Sequence, residues 1–193
     1  ISAGATIAMA MECFEKGLIS REDTGGIELR FGDYKAMLSL LEQIGEKTGF
    51  GALLGEGTVR LAKYIGKGSE QFAVHVKGME VPAHSARGVP GMAIGYATSN
   101  RGGTHQDGRP TAERVGLVDI EKIEGKGYYE VDVQRMTTIS DCLIHCRMME
   151  SIMGLTGISE DHVKTVQLVT GLDVAIDDLI EIADRIYTIQ RAF

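Results

Sequence analysis

The spacing of apolar residues along the chain predicts a mostly helical protein. Apolar positions recur every three or four residues in several stretches, which is the spacing that gives a helix one buried face. Side chains that favour helix starts, such as Asp33 and Ser159, stand just before two of them. The predicted helices cover residues 2–18, 33–49, 58–65, 89–98, 159–171 and 176–193.

Two stretches depart from this simple pattern. Residues 71–77 alternate, with Phe72, Val74 and Val76 against polar or small neighbours, and this period predicts a short half-buried strand. Residues 128–152 form either one long helix or two helices joined near residues 137–140, where adjacent threonines weaken helical preference. A domain boundary is predicted in the glycine-rich passage near residue 76.

Composition excludes several classes of protein. The chain carries 27 acidic and 20 basic residues, a net charge of -7, and this argues against a nucleic-acid-binding domain with a basic face. Three cysteines are an odd number in a chain of 193 residues, which disfavours a secreted disulfide framework and favours a reducing, cytoplasmic location. No apolar run approaches the roughly 18 residues that a membrane-spanning helix needs.

Three potential metal ligands lie close together in the second half of the sequence. Cys142, His145 and Cys146 are three and four residues apart, so on a helix they share one side. The alternative is that the cysteines are simply core residues, because free cysteine is among the most buried residue types. The spacing alone favours the core interpretation.

The segment from Ser99 to His105 has no periodicity and is predicted to be a loop. Arg101 supplies a fixed positive charge, Gly102 and Gly103 allow close backbone approach to a ligand, and His105 can transfer protons. Such a loop suits an anionic cofactor, although similar loops occur without any ligand.

A third passage, residues 78–88, contains an acid, a histidine and an arginine around Pro82. Its chemistry favours a solvated turn in which Glu80 and Arg87 form an ion pair. Cys13 lies on the first amphipathic helix and is predicted to belong to the core, and His75 and His162 are assigned no role.

Taken in order, these passages resemble the aldehyde ferredoxin oxidoreductase family. The matching motifs are Gly78-x-Glu80-x-Pro82-Ala83 with Arg87-Gly88, then Ala97-Thr98-Ser99-Asn100-Arg101-Gly102-Gly103-x-His105, then Asp141-x-Leu143-x-x-Cys146. The resemblance covers essentially the whole chain, whereas the chain covers only an interior part of the family's usual length. We therefore expect the chain alone to lack oxidoreductase activity.

The resemblance implies a mainly α, multihelical fold built from parts of two pterin-binding helical domains, with a short strand. Residues 1–76 would be the later part of the middle helical domain, and residues 77–193 most of the C-terminal one. It also implies a tungsten or molybdenum ion held by two pyranopterins, a [4Fe-4S] cluster, aldehyde oxidation to carboxylate, and ferredoxin as electron acceptor. The other implied partner is the remainder of the same polypeptide, and a homodimer is left open.

The resemblance also assigns roles to residues. Cys146 would be the fourth cluster ligand, Asp141 would accept hydrogen bonds from a pterin, and His105 would serve in proton transfer near the metal. Further cofactor contacts are implied at Leu143, Arg101, Gly102, Gly103 and Thr104.

This chain departs from the family pattern at two places. Asp107 replaces the basic residue that often follows the family histidine by two positions, and Arg109 is the nearest substitute for it. Ser85 and Ala86 stand where many members have Asp-Pro, which leaves the substrate open.

Two alternatives remain. One is the tungsten subunit of a benzoyl-CoA reductase, which shares the pterin motifs. The other is a non-catalytic helical module in which Cys142, His145 and Cys146 bind zinc or nothing.

Overall fold

The computed structural model describes all residues 1–193 and divides them into two compact units. The first unit comprises Ile1–Ala83 and Arg101–Gly103, and the second comprises His84–Asn100 and Thr104–Phe193. None of the helices is long and apolar enough to cross a membrane.

The first unit is built from four helices, one 3-10 helix and a two-stranded hairpin. These are α1 (Ser2–Glu15), α2 (Tyr34–Glu46), α3 (Gly49–Leu54), α4 (Thr58–Ile65), the 3-10 helix Ser69–Phe72, β1 (His75–Val76) and β2 (Met79–Glu80). Helix α1 packs against α2, α3 and α4. Its Cys13 is fully buried in the core with Ile7, Leu40 and Leu61, so the prediction for this cysteine is confirmed.

The second unit contains six helices. These are α5 (Pro90–Thr98), α6 (Thr111–Arg114), α7 (Lys126–Cys142), α8 (Arg147–Ile152), α9 (Glu160–Thr170) and α10 (Ile176–Ala192). The long helix α7 packs against α5 and α10, and α10 also packs against α9. Ile139 of α7 meets Val163 of α9 and Leu179 of α10 in a small apolar core.

Local capping explains several of the helix starts, and the prediction of a mainly helical fold is confirmed. The Asp33 carboxylate accepts hydrogen bonds from the Lys35 and Ala36 amides at the start of α2. Ser159 begins α9 in a capping box with His162, and Gly171 ends that helix in the left-handed conformation. The short helices α3, α6 and α8 are too brief to show a helical period in the sequence.

The strand predicted over residues 71–77 is wrong in extent. The 3-10 helix includes Gln71 and Phe72, and the strand consists only of His75 and Val76. The reason is that Lys77 and Gly78 both have positive φ, 52° and 80°, and form a two-residue hairpin turn that pairs β1 with β2.

Of the two alternatives for residues 128–152, two joined helices are correct, but the join does not lie near residues 137–140. Helix α7 runs through these positions, and the buried hydroxyls of Thr137 and Thr138 donate to the carbonyls four residues earlier, at 2.8 and 2.9 Å. The helix ends instead at Cys142, the last residue of α7, and α8 begins at Arg147.

The ion pair predicted between Glu80 and Arg87 does not form. The buried Glu80 carboxylate accepts from the Thr58 amide at 2.8 Å and from the Thr58 hydroxyl at 3.1 Å, so it caps α4 from a distant part of the chain. Burial alone would raise the pKa of Glu80, but the hydrogen bonds from Thr58 hold that pKa below its usual value.

The two units divide the chain between Ala83 and His84, with Arg101–Gly103 returning to the first unit. The boundary at residue 76 concerned the domains of the family, and it stays a prediction.

Candidate functional site

The turn between α7 and α8 carries the Asp141-x-Leu143-x-x-Cys146 motif. Asp141 lies exposed in the last turn of α7, and the exposed Cys146 is the residue that precedes α8. The His145 amide donates to the Ser140 carbonyl at 2.8 Å and the Ile144 amide to the Asp141 carbonyl at 3.2 Å, which fixes the turn. Asp141 and Cys146 therefore flank one helix break.

Ile144 holds an unusual conformation at the centre of this turn. Its φ is 60°, in the left-handed region that β-branched residues rarely adopt, and its side chain is 92% exposed. The residue gains no packing in return for this strain. The turn is therefore held by its flanking hydrogen bonds and by the helices on either side.

His105 is half-buried in the second unit, beside another histidine. Its ring centroid is 5.2 Å from that of His84, and its Nε2 lies 3.5 Å from Nε2 of Gln106. Burial, followed by the positive charge of Arg109 and the neighbouring His84, lowers the pKa of His105. The imidazole is therefore neutral at neutral pH and can accept a proton.

Arg109 connects the His105 segment to α8. The buried guanidinium donates to Oε1 of Gln106 at 3.2 Å and to Oγ of Ser151 at 2.9 Å. Burial and then Arg147 lower the pKa of Arg109, whereas the nearby Cys146 sulfur acts in the opposite direction. The Arg109 charge thus acts on His105, and Arg109 and Cys146 influence each other, within one unit.

Two buried arginines in this region have N–H groups without hydrogen-bond partners. These are Nε of Arg109, and Nε and Nη2 of Arg147. Both side chains are largely buried, at 9% and 7% exposure, and unsatisfied N–H groups on buried cations are costly. Their chemistry fits an anionic group, because a guanidinium binds phosphate or other anions through its N–H groups.

The two glycines that precede His105 in the sequence pack against the hairpin in this structure. Gly102 and Gly103 are buried against the hairpin of the first unit, and the Gly103 amide donates to the Val76 carbonyl at 3.2 Å. A Cβ on Gly102 would lie 2.5 Å from the Val76 oxygen, and one on Gly103 would lie 2.4 Å from the Met79 oxygen. The glycines are thus needed for backbone packing, and their role in cofactor binding stays a prediction.

The remaining predicted residues are placed as follows. Arg101 is exposed in the first unit, and Leu143 is half-buried against the apolar core of the second. Thr104 is buried, and its hydroxyl accepts from the Gln106 amide at 3.1 Å. The buried Asp107, at the position where the family often has a basic residue, accepts from the Ser99 hydroxyl at 2.7 Å.

The zinc alternative through Cys142, His145 and Cys146 is wrong as stated. These three side chains do not gather at metal-binding distance, and His145 gathers instead with Glu150 and His162. Sequence reasoning missed the last two because they are five and seventeen residues away from His145. The only signal was the position of His162 three residues after the helix-capping Ser159.

The comparisons with known proteins define the class of the chain. The family described as "Aldehyde ferredoxin oxidoreductase, domains 2 & 3" matches residues 1–193. The chain therefore belongs to the aldehyde ferredoxin oxidoreductase family.

Particular relatives agree with this assignment. The tungsten-containing aldehyde ferredoxin oxidoreductase of Pyrococcus horikoshii is 34% identical over 201 residues, which cover 100% of this chain and 32% of the relative. An aliphatic sulfonate oxidoreductase, WOR-like subunit, of Pyrococcus furiosus is 42% identical over 111 residues, 54% of this chain and 18% of the relative. The chain thus spans about a third of the length of its aldehyde-oxidising relatives, 32% in the case of Pyrococcus horikoshii.

A solved structure supports the fold. The active site complex BamBC of benzoyl coenzyme A reductase, in complex with 1,5-dienoyl-CoA, aligns with a TM-score of 0.58 over 99% of this chain and 35% of that chain. The sequence identity is 19%, so this likeness concerns the fold alone.

Proposed function

We propose that this chain forms part of a tungsten-pterin oxidoreductase that oxidises aldehydes to carboxylates and passes the electrons to ferredoxin. The observation that carries this proposal is the pair of buried guanidiniums, Arg109 and Arg147, whose unpaired N–H groups lie in the unit that holds the His105 and Cys146 motifs. An anionic cofactor would satisfy these groups, and the curated relatives are tungsten-containing enzymes.

The proposed roles follow the positions of the side chains. Cys146, exposed at the start of α8, would bind a [4Fe-4S] cluster, and Asp141 would accept hydrogen bonds from a pterin. Arg109 and Arg147 would hold anionic parts of the cofactor, and Leu143, Arg101, Gly102, Gly103 and Thr104 would provide further contacts. A metal-pterin group supplies two-electron redox chemistry when it is bound.

His105 would accept a proton during oxidation of the aldehyde. Because burial and Arg109 lower its pKa, the imidazole is unprotonated at neutral pH and ready for this step. His84 packs beside it and is held in turn by Arg114, whose Nη2 lies 2.9 Å from Nδ1 of His84. A cytoplasmic location and a homodimeric state stay predictions.

The proposal is tested with the tungsten-loaded holoprotein. His105→Asn should lower kcat for aldehyde oxidation by about 10²- to 10⁴-fold, because a positioned proton acceptor contributes about that much. The measurement is aldehyde-dependent reduction of ferredoxin, with tungsten content determined for each variant. His75→Asn, which changes an exposed histidine on the hairpin, is the control and should retain full activity. Equal kcat for His105→Asn and the original protein would refute the role of His105.

An aliphatic sulfonate is the second candidate substrate class. The observation in its favour is the 42% identity with the sulfonate oxidoreductase subunit over 111 residues. Turnover of a short aliphatic sulfonate by the holoprotein with a higher kcat/KM than any aldehyde would replace the first assignment, while leaving the oxidoreductase class intact.

A further inference from the structure

Three potential metal ligands meet where the turn after α7 approaches α8 and α9. Oε1 of Glu150 lies 3.5 Å from Nδ1 of His145 and 3.2 Å from Nε2 of His162. The three ligand atoms all lie within 4.8 Å of one another. They line a cavity of about 240 Å³, together with Cys146 and Asp161.

The distances suit a small divalent transition-metal ion. Imidazole nitrogens and carboxylate oxygens bind zinc at roughly 2.0–2.2 Å, so neighbouring ligand atoms in a tetrahedral site lie roughly 3.3–3.6 Å apart. The two contacts of Glu150 Oε1 are close to this spacing before any ion is present. The two imidazole nitrogens lie within 4.8 Å of the other ligand atoms, so an ion among the three atoms would draw the two rings together.

The ligands are oriented by hydrogen bonds outside the cluster. The Glu150 carboxylate is held by Arg147 and by the Ser140 hydroxyl, which lies 2.7 Å from Oε1 and 2.8 Å from Oε2. His162 has its Nδ1 at 2.9 Å from the Ser159 hydroxyl and 3.1 Å from the Ser159 amide. Outer partners of this kind fix the orientation of ligands in metal sites.

Binding would require one proton to move. The Ser159 amide donates to Nδ1 of His162, so in the metal-free protein the proton of this imidazole is on Nε2 and is donated to Glu150. An ion at Nε2 requires the other neutral tautomer, so this proton would move from Nε2 to Nδ1 without net release. The Nδ1–H would then donate to the Ser159 hydroxyl, and the hydrogen bond from the Ser159 amide would be lost.

We propose that His145, Glu150 and His162 form a site for a divalent transition-metal ion of the zinc class, with water in the fourth position. This inference goes beyond the proposed function and does not rest on it. The site does not use the Cys146 sulfur, which is assigned to the cluster and whose side chain borders the same cavity. The positive charge of Arg147 beside Glu150 makes the ion weaker-bound and more exchangeable than in a closed structural zinc site.

The test is a titration of the metal-free protein with Co²⁺, followed by visible absorption and by displacement with Zn²⁺. We expect saturable binding of one ion per chain, and a rise in Tm on addition of Zn²⁺. His145→Ala should weaken the affinity by at least about tenfold, since even outer-shell partners contribute that much. His75→Ala, which removes an exposed histidine from the hairpin of the first unit, should bind like the original protein.

Two further variants test whether Glu150 is a ligand and whether the Cys146 thiol binds the ion instead. Glu150→Gln should lose binding, and circular dichroism with the metal-free Tm shows whether it still folds. His145 is half-buried, so His145→Ala retains the fold and keeps the test decisive if Glu150→Gln does not. Cys146→Ser should keep the Co²⁺ affinity within about threefold. Absence of saturable binding, equal affinity in His145→Ala, or loss of binding in Cys146→Ser would each overturn the three-ligand site.

Discussion

At the scale of single residues, the turn that carries Cys146 depends on a conformation that its sequence does not favour. Ile144 has a φ of 60° and an almost fully exposed side chain. A left-handed backbone costs a non-glycine residue about 1–2 kcal/mol, and an exposed isoleucine recovers little of this by burial. The sequence could not reveal this position, because β-branched residues usually indicate extended or helical backbone.

This strain leads to a direct prediction for Ile144→Gly. Glycine adopts positive φ freely. Its greater freedom in the unfolded chain, however, lowers the free energy of unfolding by about 0.5–1 kcal/mol. We therefore expect the free energy of unfolding to rise by about 0.5 kcal/mol, measured by urea denaturation. Ile144→Val retains the branched Cβ and should change stability very little. A clear loss of stability in Ile144→Gly would mean that the isoleucine side chain makes contacts that favour the fold.

At the scale of elements, helical periodicity predicted the long helices well, and it failed where distant groups determine local structure. Helix α4 was predicted correctly from residue 58 to 65, yet its cap is the Glu80 carboxylate, 22 residues away. Helix α7 continues through Thr137 and Thr138, whose buried hydroxyls donate to carbonyls of the preceding turn. Neither effect leaves a local pattern in the sequence.

Helix α7 also buries a carboxyl group that should make the stability of the second unit depend on pH. Glu130 is 2% exposed, and its Oε1 has no hydrogen-bond partner. Burial, then the charges of Asp107 and Glu113, raise the pKa of Glu130 to about 8, although a hydrogen bond from Gln134 acts in the opposite direction. The group is therefore protonated in the folded protein at neutral pH.

The raised pKa of Glu130 determines whether stability rises or falls with pH. A folded-state pKa above the ordinary 4.5 means that the folded protein holds its proton more tightly than the unfolded chain. The stability contributed by Glu130 is full below about pH 4.5 and is lost as the pH rises towards about 8. Glu130→Gln should remove this dependence, so that the variant gains stability relative to the original protein between pH 5 and pH 8.5.

Urea unfolding between pH 5 and pH 8.5 measures the difference in stability between Glu130→Gln and the original protein. Glu181→Gln changes an exposed carboxylate on α10 and serves as the control, with no such relative gain expected. A constant difference between Glu130→Gln and the original protein across the pH range would contradict the raised pKa.

At the scale of the whole molecule, the order of the motifs predicted the family, whereas the side-chain contacts around the motifs are evident only in the structure. Asp141 and Cys146 flank one helix break, at a position that the helical periodicity did not predict. The link from the His105 segment through Arg109 to Ser151 spans 42 residues, and the cluster of His145, Glu150 and His162 joins three separate elements. Contacts of this separation arise from packing between helices, and periodicity does not encode them.

The last prediction concerns the assembled holoprotein and compares two cysteines that are both exposed in the structure. Cys142 ends α7 and Cys146 precedes α8, so each is accessible and exposure alone does not distinguish them. A cluster iron requires a thiolate, and a hydroxyl in its place weakens ligation and shifts the reduction potential. If Cys146 binds the proposed cluster, Cys146→Ser should change the EPR signal or the iron content of the holoprotein and slow electron transfer to the proposed acceptor, ferredoxin. Cys142→Ser should leave all three near their original values, because an exposed cysteine tolerates this exchange. Loss of the signal in Cys142→Ser alone would place the ligand one helical turn earlier, and an unchanged signal in both variants would remove the cluster ligand from this segment.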